Sequence, residues 1–449
     1  MVLPEATEGA LEGVVGPAPD QGEAMKIGVI GAGISGLTAA LRLARSGRSV
    51  EIFQREKEVG GLLGSFDLGG TRIERFYHFL CAGDTGYFEL CRELGLADRI
   101  RFTRSLTGFY HDGRLFPFTT AADLLRFTSI SLPQRLRFGI FALESMLRTR
   151  WQSLDRRTAK SWLIGRIGRR AYDVIWEPLL SLKFGELANQ ISAAWVWHRV
   201  HRVARSKGRM GYLEGGTALL LDRLTQALEN LGVRVHPGRP VAQILVERRR
   251  VAGLQLVDGD VHRCDSVIST IPLPLVASLL PTECGEYAER LRSFRYIGVA
   301  CVSIKLNRKV TPFFWLNVND PRIPFNGLIE FTNLNPLAGE HVAYVPYYVP
   351  TDSATYATPP DELVERTWRG MKLVAPHLTD DDRIAAHVAR APFAQAICAA
   401  GFSAALPPQR SEVGGLHLLD SVFLYPEDRT QSGNILKATE CTERLLRDE

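Results

Sequence analysis

Residues 25–65 read as strand, glycine turn, helix, strand and glycine doublet, the phosphate-gripping half of a dinucleotide site. Lys26, Ile27, Gly28, Val29 and Ile30 form a short apolar run suited to a buried central strand of a parallel sheet. Gly31-Ala32-Gly33-Ile34-Ser35-Gly36 follows at once. The first glycine permits a tight turn, the second lets main chain approach a pyrophosphate, and the third allows close helix–strand packing. Leu37, Ala40, Leu41 and Ala44 recur at helical spacing and would face the sheet. The free N–H groups at the helix start would point at the phosphates, worth up to about 2 kcal/mol when partly buried. Gly47 ends the helix, and Ser49, Val50, Glu51, Ile52 and Phe53 supply the second strand.

The end of that strand normally carries an acid for the ribose hydroxyls, and here it carries Gln54 followed by Arg55. Glutamine still bonds a hydroxyl, at a cost of about 1 kcal/mol relative to a carboxylate. The pair also admits a rival, an NADP-binding reductase whose arginine takes the 2′-phosphate. The next segment, Val59-Gly60-Gly61-Leu62-Leu63-Gly64-Ser65, favours a flavin. Here the chain resembles the flavoprotein group of flavin amine oxidases, protoporphyrinogen oxidases, phytoene desaturases and UDP-galactopyranose mutases. The resemblance implies FAD, with its diphosphate against Gly60 and Gly61. Leu62 stands where the group often has arginine.

Three further blocks carry the resemblance. Tyr212-Leu213-Glu214-Gly215-Gly216 and a helix striped by Leu220, Leu224, Leu228 and Leu231 resemble the group's re-entry into the nucleotide domain. Val241 matches a position whose main chain contacts adenine, and the run from Asp265 through Thr270 to Pro272 resembles the strand returning to the cofactor. Leu416-His417-Leu418-Leu419-Asp420 reads as a buried strand, whose Asp420 the resemblance assigns to the ribityl chain or diphosphate. Gly433, Asn434 and Ile435 open a last helix whose N-terminus would stabilise negative charge on the reduced flavin. The implied fold class is α/β: a Rossmann-like FAD-binding domain of the glutathione-reductase type, interleaved with an α+β substrate domain. Residues 25–85, 205–275 and 395–449 fall in the first, 86–204 in a helical cap, and 276–394 in a sheet that roofs the substrate.

A chain of 449 residues, 45% hydrophobic and 23% charged, has the length for two domains and the composition of a globular protein. Residues 1–24 have prolines and acids but neither a basic start nor an apolar core, and read as a disordered leader. No apolar run approaches the roughly 18 residues of a membrane span. Seven cysteines without C-x-x-C spacing point to free thiols in a reducing cytoplasm and to no metal site.

Residues 104–170 carry thirteen basic and four acidic side chains, a net +9, whereas the whole chain is +5. Interleaved Leu124, Leu125, Phe127, Leu136, Phe138, Phe141, Leu143, Met146, Leu147 and Trp151 suggest amphipathic helices resting on the anionic inner face of a membrane. The alternative is that the apolar residues form a cap core beneath solvated arginines. Without a recognisable binding module, nucleic acid is not an expected partner. Beyond this region, Trp176-Glu177-Pro178 through Lys183 to Gly185 is similar to the substrate-pocket segment of protoporphyrinogen oxidases. Glu177 and Lys183, among large apolar residues, are candidate proton-transfer groups or a structural ion pair. Trp176, Trp195, Trp197 and Tyr212 are candidate walls of an apolar pocket, and Tyr344, Tyr347 and Tyr348 candidate lining from the sheet.

The sharper candidate is His78, in a stretch that lies near the flavin ring in the resembling proteins. There a histidine moves a proton, or forms a hydrogen-bonding wall. The reading that emerges is an FAD-dependent oxidoreductase of a largely hydrophobic isoprenoid-, tetrapyrrole- or amine-like substrate. The alternative is a UDP-galactopyranose-mutase-like flavoenzyme acting on a nucleotide sugar.

Overall fold

The computed structural model describes residues 25–206, 208–337 and 339–448, so the expected leader at 1–24 lies outside the described residues. Five described strands pair in parallel in the order Leu416–Leu418, Ser266–Ser269, Lys26–Ile30, Ser49–Gln54 and Arg234–Pro237. They come from three distant stretches of chain, and the three central ones carry the Val and Ile expected of strands covered on both faces, whereas the edge strand Arg234–Pro237 is partly exposed. One face is covered by helices Ile34–Arg45, Gly216–Asn230 and Gln431–Arg447, through Leu37, Leu41, Leu220, Leu224, Ile435 and Leu445. The other is covered by an antiparallel sheet of Val241–Glu247, Arg250–Leu256 and Val261–Arg263. Because all five strands run the same way, their C-terminal ends share one edge, where the glycine turn and the helix starts gather.

A second, mixed sheet runs in the order Arg383–Ala396, Tyr296–Leu306, His341–Val349, Gly327–Glu330, Trp315–Asn319, Thr107–His111 and Arg114–Pro117. Its last two strands lie within the stretch read as helical. They form a hairpin at Asp112 (φ 51°) and Gly113 (φ 74°), and Thr107–His111 pairs in parallel with Trp315–Asn319. The Asp-Gly pair that closes the hairpin is a strong turn signal. Helices follow from Ala121–Arg126 onward, including Leu132–Leu147, Glu177–Phe184 and Ala193–Arg205. All seven cysteines are free. No helix among the described residues is long and apolar enough to cross a membrane.

Candidate active site

At the shared strand edge, helix Ile34–Arg45 starts from Gly33 in extended backbone (φ −78°, ψ 179°), with no side-chain cap and no acid in its first turn. Its first-turn N–H groups are thus left for an anion. The three glycines meet different surroundings. A Cβ on Gly31 (φ 101°) would lie 2.6 Å from Thr270 Oγ1, and one on Gly36 would lie 2.0 Å from the Gly31 carbonyl, whereas one on Gly33 would meet nothing within 4 Å. Packed first and third glycines around an open second one make a cradle that a side chain would fill. Gly60 (φ 110°) closes it by donating its N–H to the Ala32 carbonyl at 2.7 Å, and Gly61 lies against Gly33. These residues fit the diphosphate of a dinucleotide.

The other cofactor candidates surround this cradle. Gln54 is buried. Its Oε1 accepts the Ala32 N–H at 3.1 Å and its Nε2 donates to the Glu58 carbonyl at 3.3 Å, so its amide braces the glycine turn. Arg55 is exposed and pairs with Glu56. The Gln54 carbonyl accepts the Arg239 N–H at 2.9 Å, two residues before Val241 opens its strand. Thr270 donates its hydroxyl to the Ile30 carbonyl at 2.9 Å. Ser35 donates to Asn434 Oδ1 at 3.0 Å, and Asn434 Nδ2 donates to the Thr430 carbonyl at 2.7 Å, joining the starts of the first and last helices beside buried Ile34 and Ile435. Asp420 is buried, and its carboxylate accepts the Leu273 N–H at 3.2 Å, the Ser421 hydroxyl at 3.1 Å and the Tyr296 hydroxyl. Burial pushes its pKa upward against those bonds. Its oxygens therefore hold the last strand and the turn after it, a role the resemblance did not suggest.

Farther along the same edge, His78 Nδ1 lies 2.8 Å from Glu74 Oε2. Glu74 is buried; its Oε1 accepts the Thr217 N–H at 3.0 Å at the start of helix Gly216–Asn230, and its main-chain carbonyl accepts the Tyr344 hydroxyl at 2.8 Å. Glu74, anchored by the Thr217 N–H at a helix N-terminus, holds the His78 imidazole through Nδ1 and leaves Nε2 outside this contact. Glu74 was missed by sequence reasoning. It is legible only as the residue four before His78.

Lys183 is buried beside a small pocket lined by Trp195, Gln395, Cys398, Tyr425, Asp428 and Arg429. Its Nζ sits 4.4 Å from the Tyr348 ring, 5.1 Å from Trp195 and 5.6 Å from Phe184. Burial, and then the neighbouring Arg199, lower its pKa well below 10.5, with Asp428 opposing. Asp428 is paired with Arg199 and Arg429, and against the upward push of burial these cations hold its carboxyl below the usual range. Arg429 Nη2 donates to the Tyr348 hydroxyl at 2.8 Å, which lies 3.3 Å from the Tyr77 hydroxyl next to His78. One polar chain thus links Lys183's neighbours to the His78 stretch. Arg199, Asp428 and Arg429 were also missed, although Arg199 lies one helical turn beyond Trp195 and Asp428-Arg429 directly precede the last helix.

The remaining candidates divide. Glu177 accepts the Ser181 hydroxyl at 2.7 Å, and six helical positions turn its side chain about 120° away from that of Lys183. Tyr344 faces Glu74, but Tyr347, an odd number of positions along the same strand, faces the opposite side and bonds Thr367 at 2.9 Å. Strand alternation brings Tyr348, and not Tyr347, to Lys183 and Arg429. Trp176 and Tyr212 are half-buried.

The comparisons with known proteins agree with this geometry. The family model for flavin-containing amine oxidoreductases matches residues 34–418. The chain is 22% identical over 316 residues to 15-cis-phytoene desaturase of Synechococcus elongatus, covering 64% of this chain and 66% of that one, just under two thirds. It is 23% identical over 432 residues to 4,4'-diaponeurosporene oxygenase of Staphylococcus aureus, covering 79% and 83%. Among solved structures, a candidate protoporphyrinogen oxidase from Exiguobacterium superposes with a TM-score of 0.75 at 18% identity, over 95% of this chain and 100% of that one. Reduced UDP-galactopyranose mutase gives 0.75 at 16% identity, over 95% and 96%. With a cradle suited to the cofactor's diphosphate and a family match over most of its length, the chain belongs to the flavin-containing amine oxidoreductases, a family of FAD-dependent oxidoreductases.

Proposed function

We propose that this protein oxidises or desaturates a long, largely apolar substrate of isoprenoid or tetrapyrrole type, which it meets at an anionic membrane surface. One observation carries the reading. Helix Leu132–Leu147 exposes Leu132 (53%), Leu136 (54%), Ile140 (66%), Leu143 (53%) and Leu147 (67%). At 100° per residue these five fall within a sector of about 80°. The opposite side buries Phe141 and, through Ser145, accepts the Trp197 Nε1–H at 3.1 Å from helix Ala193–Arg205, which carries Trp195 and Arg199 of the pocket. Arg135 and Arg137 flank the stripe, bound to main-chain carbonyls of Ile130, Arg166 and Gly165, and neither forms an ion pair with a carboxylate among the described residues. An exposed aliphatic stripe between unneutralised arginines is complementary to an anionic lipid surface. Carotenoid-type activities among the relatives agree with such a substrate.

In this reading residues 25–85, 205–275 and 395–449 form the FAD-binding unit, interleaved with a substrate unit in a Rossmann-like arrangement of glutathione-reductase type. FAD supplies the two-electron acceptor. As a hydride leaves for that acceptor, the one proton released with it is taken by Lys183, which burial shifts toward the neutral amine, and passes by relay to His78 Nε2 near the ring, while Trp195 and Tyr348 hold the chain and exclude water. Anaerobic mixing with 15-cis-phytoene in anionic liposomes tests the proposal; bleaching of the flavin is expected, and a flavin unchanged by polyene and tetrapyrrole donors refutes it. His78→Ala is expected to keep its flavin and bleach at least about 100-fold more slowly; an unchanged rate removes His78 from proton transfer. Ile140→Glu, on an exposed face, is expected to abolish flotation with phosphatidylglycerol vesicles at unchanged flavin content, and flotation equal to wild type would contradict the membrane surface.

The buried cations favour one second reading. Arg199 and Arg429 pair with Asp428 beside Lys183 and suit a diphosphate, as in mutase-like action on a nucleotide sugar. A UDP-sugar that perturbs the reduced flavin spectrum while phytoene does not bleach the flavin would select it.

A further inference from the structure

On the sheet face opposite the three helices, Glu51, His236 and His262 bring one donor atom each to within 4.8 Å of one another. Glu51 lies on strand Ser49–Gln54, His236 on the neighbouring edge strand Arg234–Pro237, and His262 on Val261–Arg263 of the covering sheet. His262 Nδ1 is 2.8 Å and His236 Nε2 3.7 Å from the same oxygen, Glu51 Oε2. We propose that these three side chains form a binding site for a divalent transition-metal ion, zinc by preference.

Four features support it. Donors on a tetrahedral zinc ion lie about 3.3 Å apart, so small side-chain rotations bring this triangle to bonding geometry. His236 Nε2 is shielded from solvent and has no hydrogen-bond partner, although it is aimed at Glu51. Phe53 fixes both imidazoles, stacked on His236 at 4.9 Å and edge-on to His262 at 4.8 Å. Two imidazoles and one carboxylate suit zinc, whereas magnesium and calcium take oxygen ligands. Arg234 pairs with the other oxygen, Glu51 Oε1, from an exposed position, and Arg239 is held by Asp258 and Asp260. The ion fastens the strand whose Phe53 carbonyl accepts the Gly31 N–H at 2.8 Å and whose Gln54 braces the glycine turn. It therefore stiffens the adenosine end of the FAD site without touching the reaction pocket.

Zinc chloride titrated calorimetrically into tag-free, chelator-treated holoprotein tests the proposal. One ion per chain is expected, with a Kd of about 1 µM or tighter. His236→Gln and His262→Gln are each expected to weaken binding at least about 100-fold at unchanged flavin content. Glu51→Gln, which keeps the shape and a hydrogen bond to His262, serves if a histidine variant does not fold. Cobalt substitution is expected to give tetrahedral visible bands to the red of the flavin absorption, lost in the same variants. Failure to take up zinc at about 100 µM, or binding unaltered in all three variants, overturns the site. Neither result bears on phytoene bleaching, so this proposal and the functional reading fail independently.

Discussion

Lys183→Met is expected to reduce kcat/KM for anaerobic bleaching by phytoene by about 10²–10⁴-fold, while the protein keeps its flavin and its fold. The amine sits among the rings of Tyr348, Trp195 and Phe184, and burial has already moved it toward the neutral form. A neutral amine in a water-poor pocket is a base, whereas methionine has nearly the same length and cannot take a proton. The same substitution relieves a desolvated polar group, so its thermal midpoint is expected to equal or exceed wild type. Linkage supplies an independent readout. Between the depressed folded pKa and the ordinary 10.5, the unfolded chain holds the proton and the native chain does not. Native stability therefore grows as pH rises across that window, by at most about 1.4 kcal/mol per unit, and is lost on acidification. Urea midpoints across that range should lose this component of the slope in Lys183→Met. A variant that bleaches within about threefold of wild type removes Lys183 from the chemistry.

Two glycines three residues apart are expected to fail in different ways. Gly33 has extended backbone and open space where a Cβ would go, so Gly33→Val is expected to yield a folded, colourless protein with FAD affinity reduced at least about 100-fold, since the side chain occupies the diphosphate's place. Gly36 is packed: its Cβ would lie 2.0 Å from the Gly31 carbonyl and 3.3 Å from Val29 Cγ1. Gly36→Ala is expected to force helix and strand apart and cost about 3 kcal/mol or more of stability even without FAD. Urea midpoints of the apoproteins, with the flavin-to-protein absorbance ratio, separate the two outcomes. If Gly33→Val purifies yellow, the diphosphate does not lie where the helix start and Gly61 leave room for it.

The contrast between these glycines follows the line between sequence and structure. Glycine spacing, the flanking apolar runs and the stripes of Leu220, Leu224 and Leu228 announced strand, turn and helix, because those signals act over a few residues and each element must bury its own face. The Asp112-Gly113 turn was equally local but was outweighed by the basic and aromatic composition around it. Among the cap leucines the pattern showed an amphipathic helix but not which apolar residues would be covered. Phe127 and Phe141 went inside and Leu136, Ile140 and Leu147 stayed outside, because only the packing of helix Ala193–Arg205 against one side fixes which stripe is left.

By itself the sequence determined the nucleotide-gripping unit, since periodicity and glycine spacing are properties of contiguous chain, and its resemblance to the flavoprotein group implied the family and FAD. Tertiary structure alone decided that Glu74 orients His78, that Arg199, Asp428 and Arg429 surround Lys183, and that Glu51 meets two histidines. Side chains hundreds of positions apart enter one electrostatic environment only after the strands have aligned, and no local pattern encodes that distance. Tyr347 and Tyr348 lie between the two cases: strand alternation was there to be read, but which side faced the pocket depended on the sheet's neighbours.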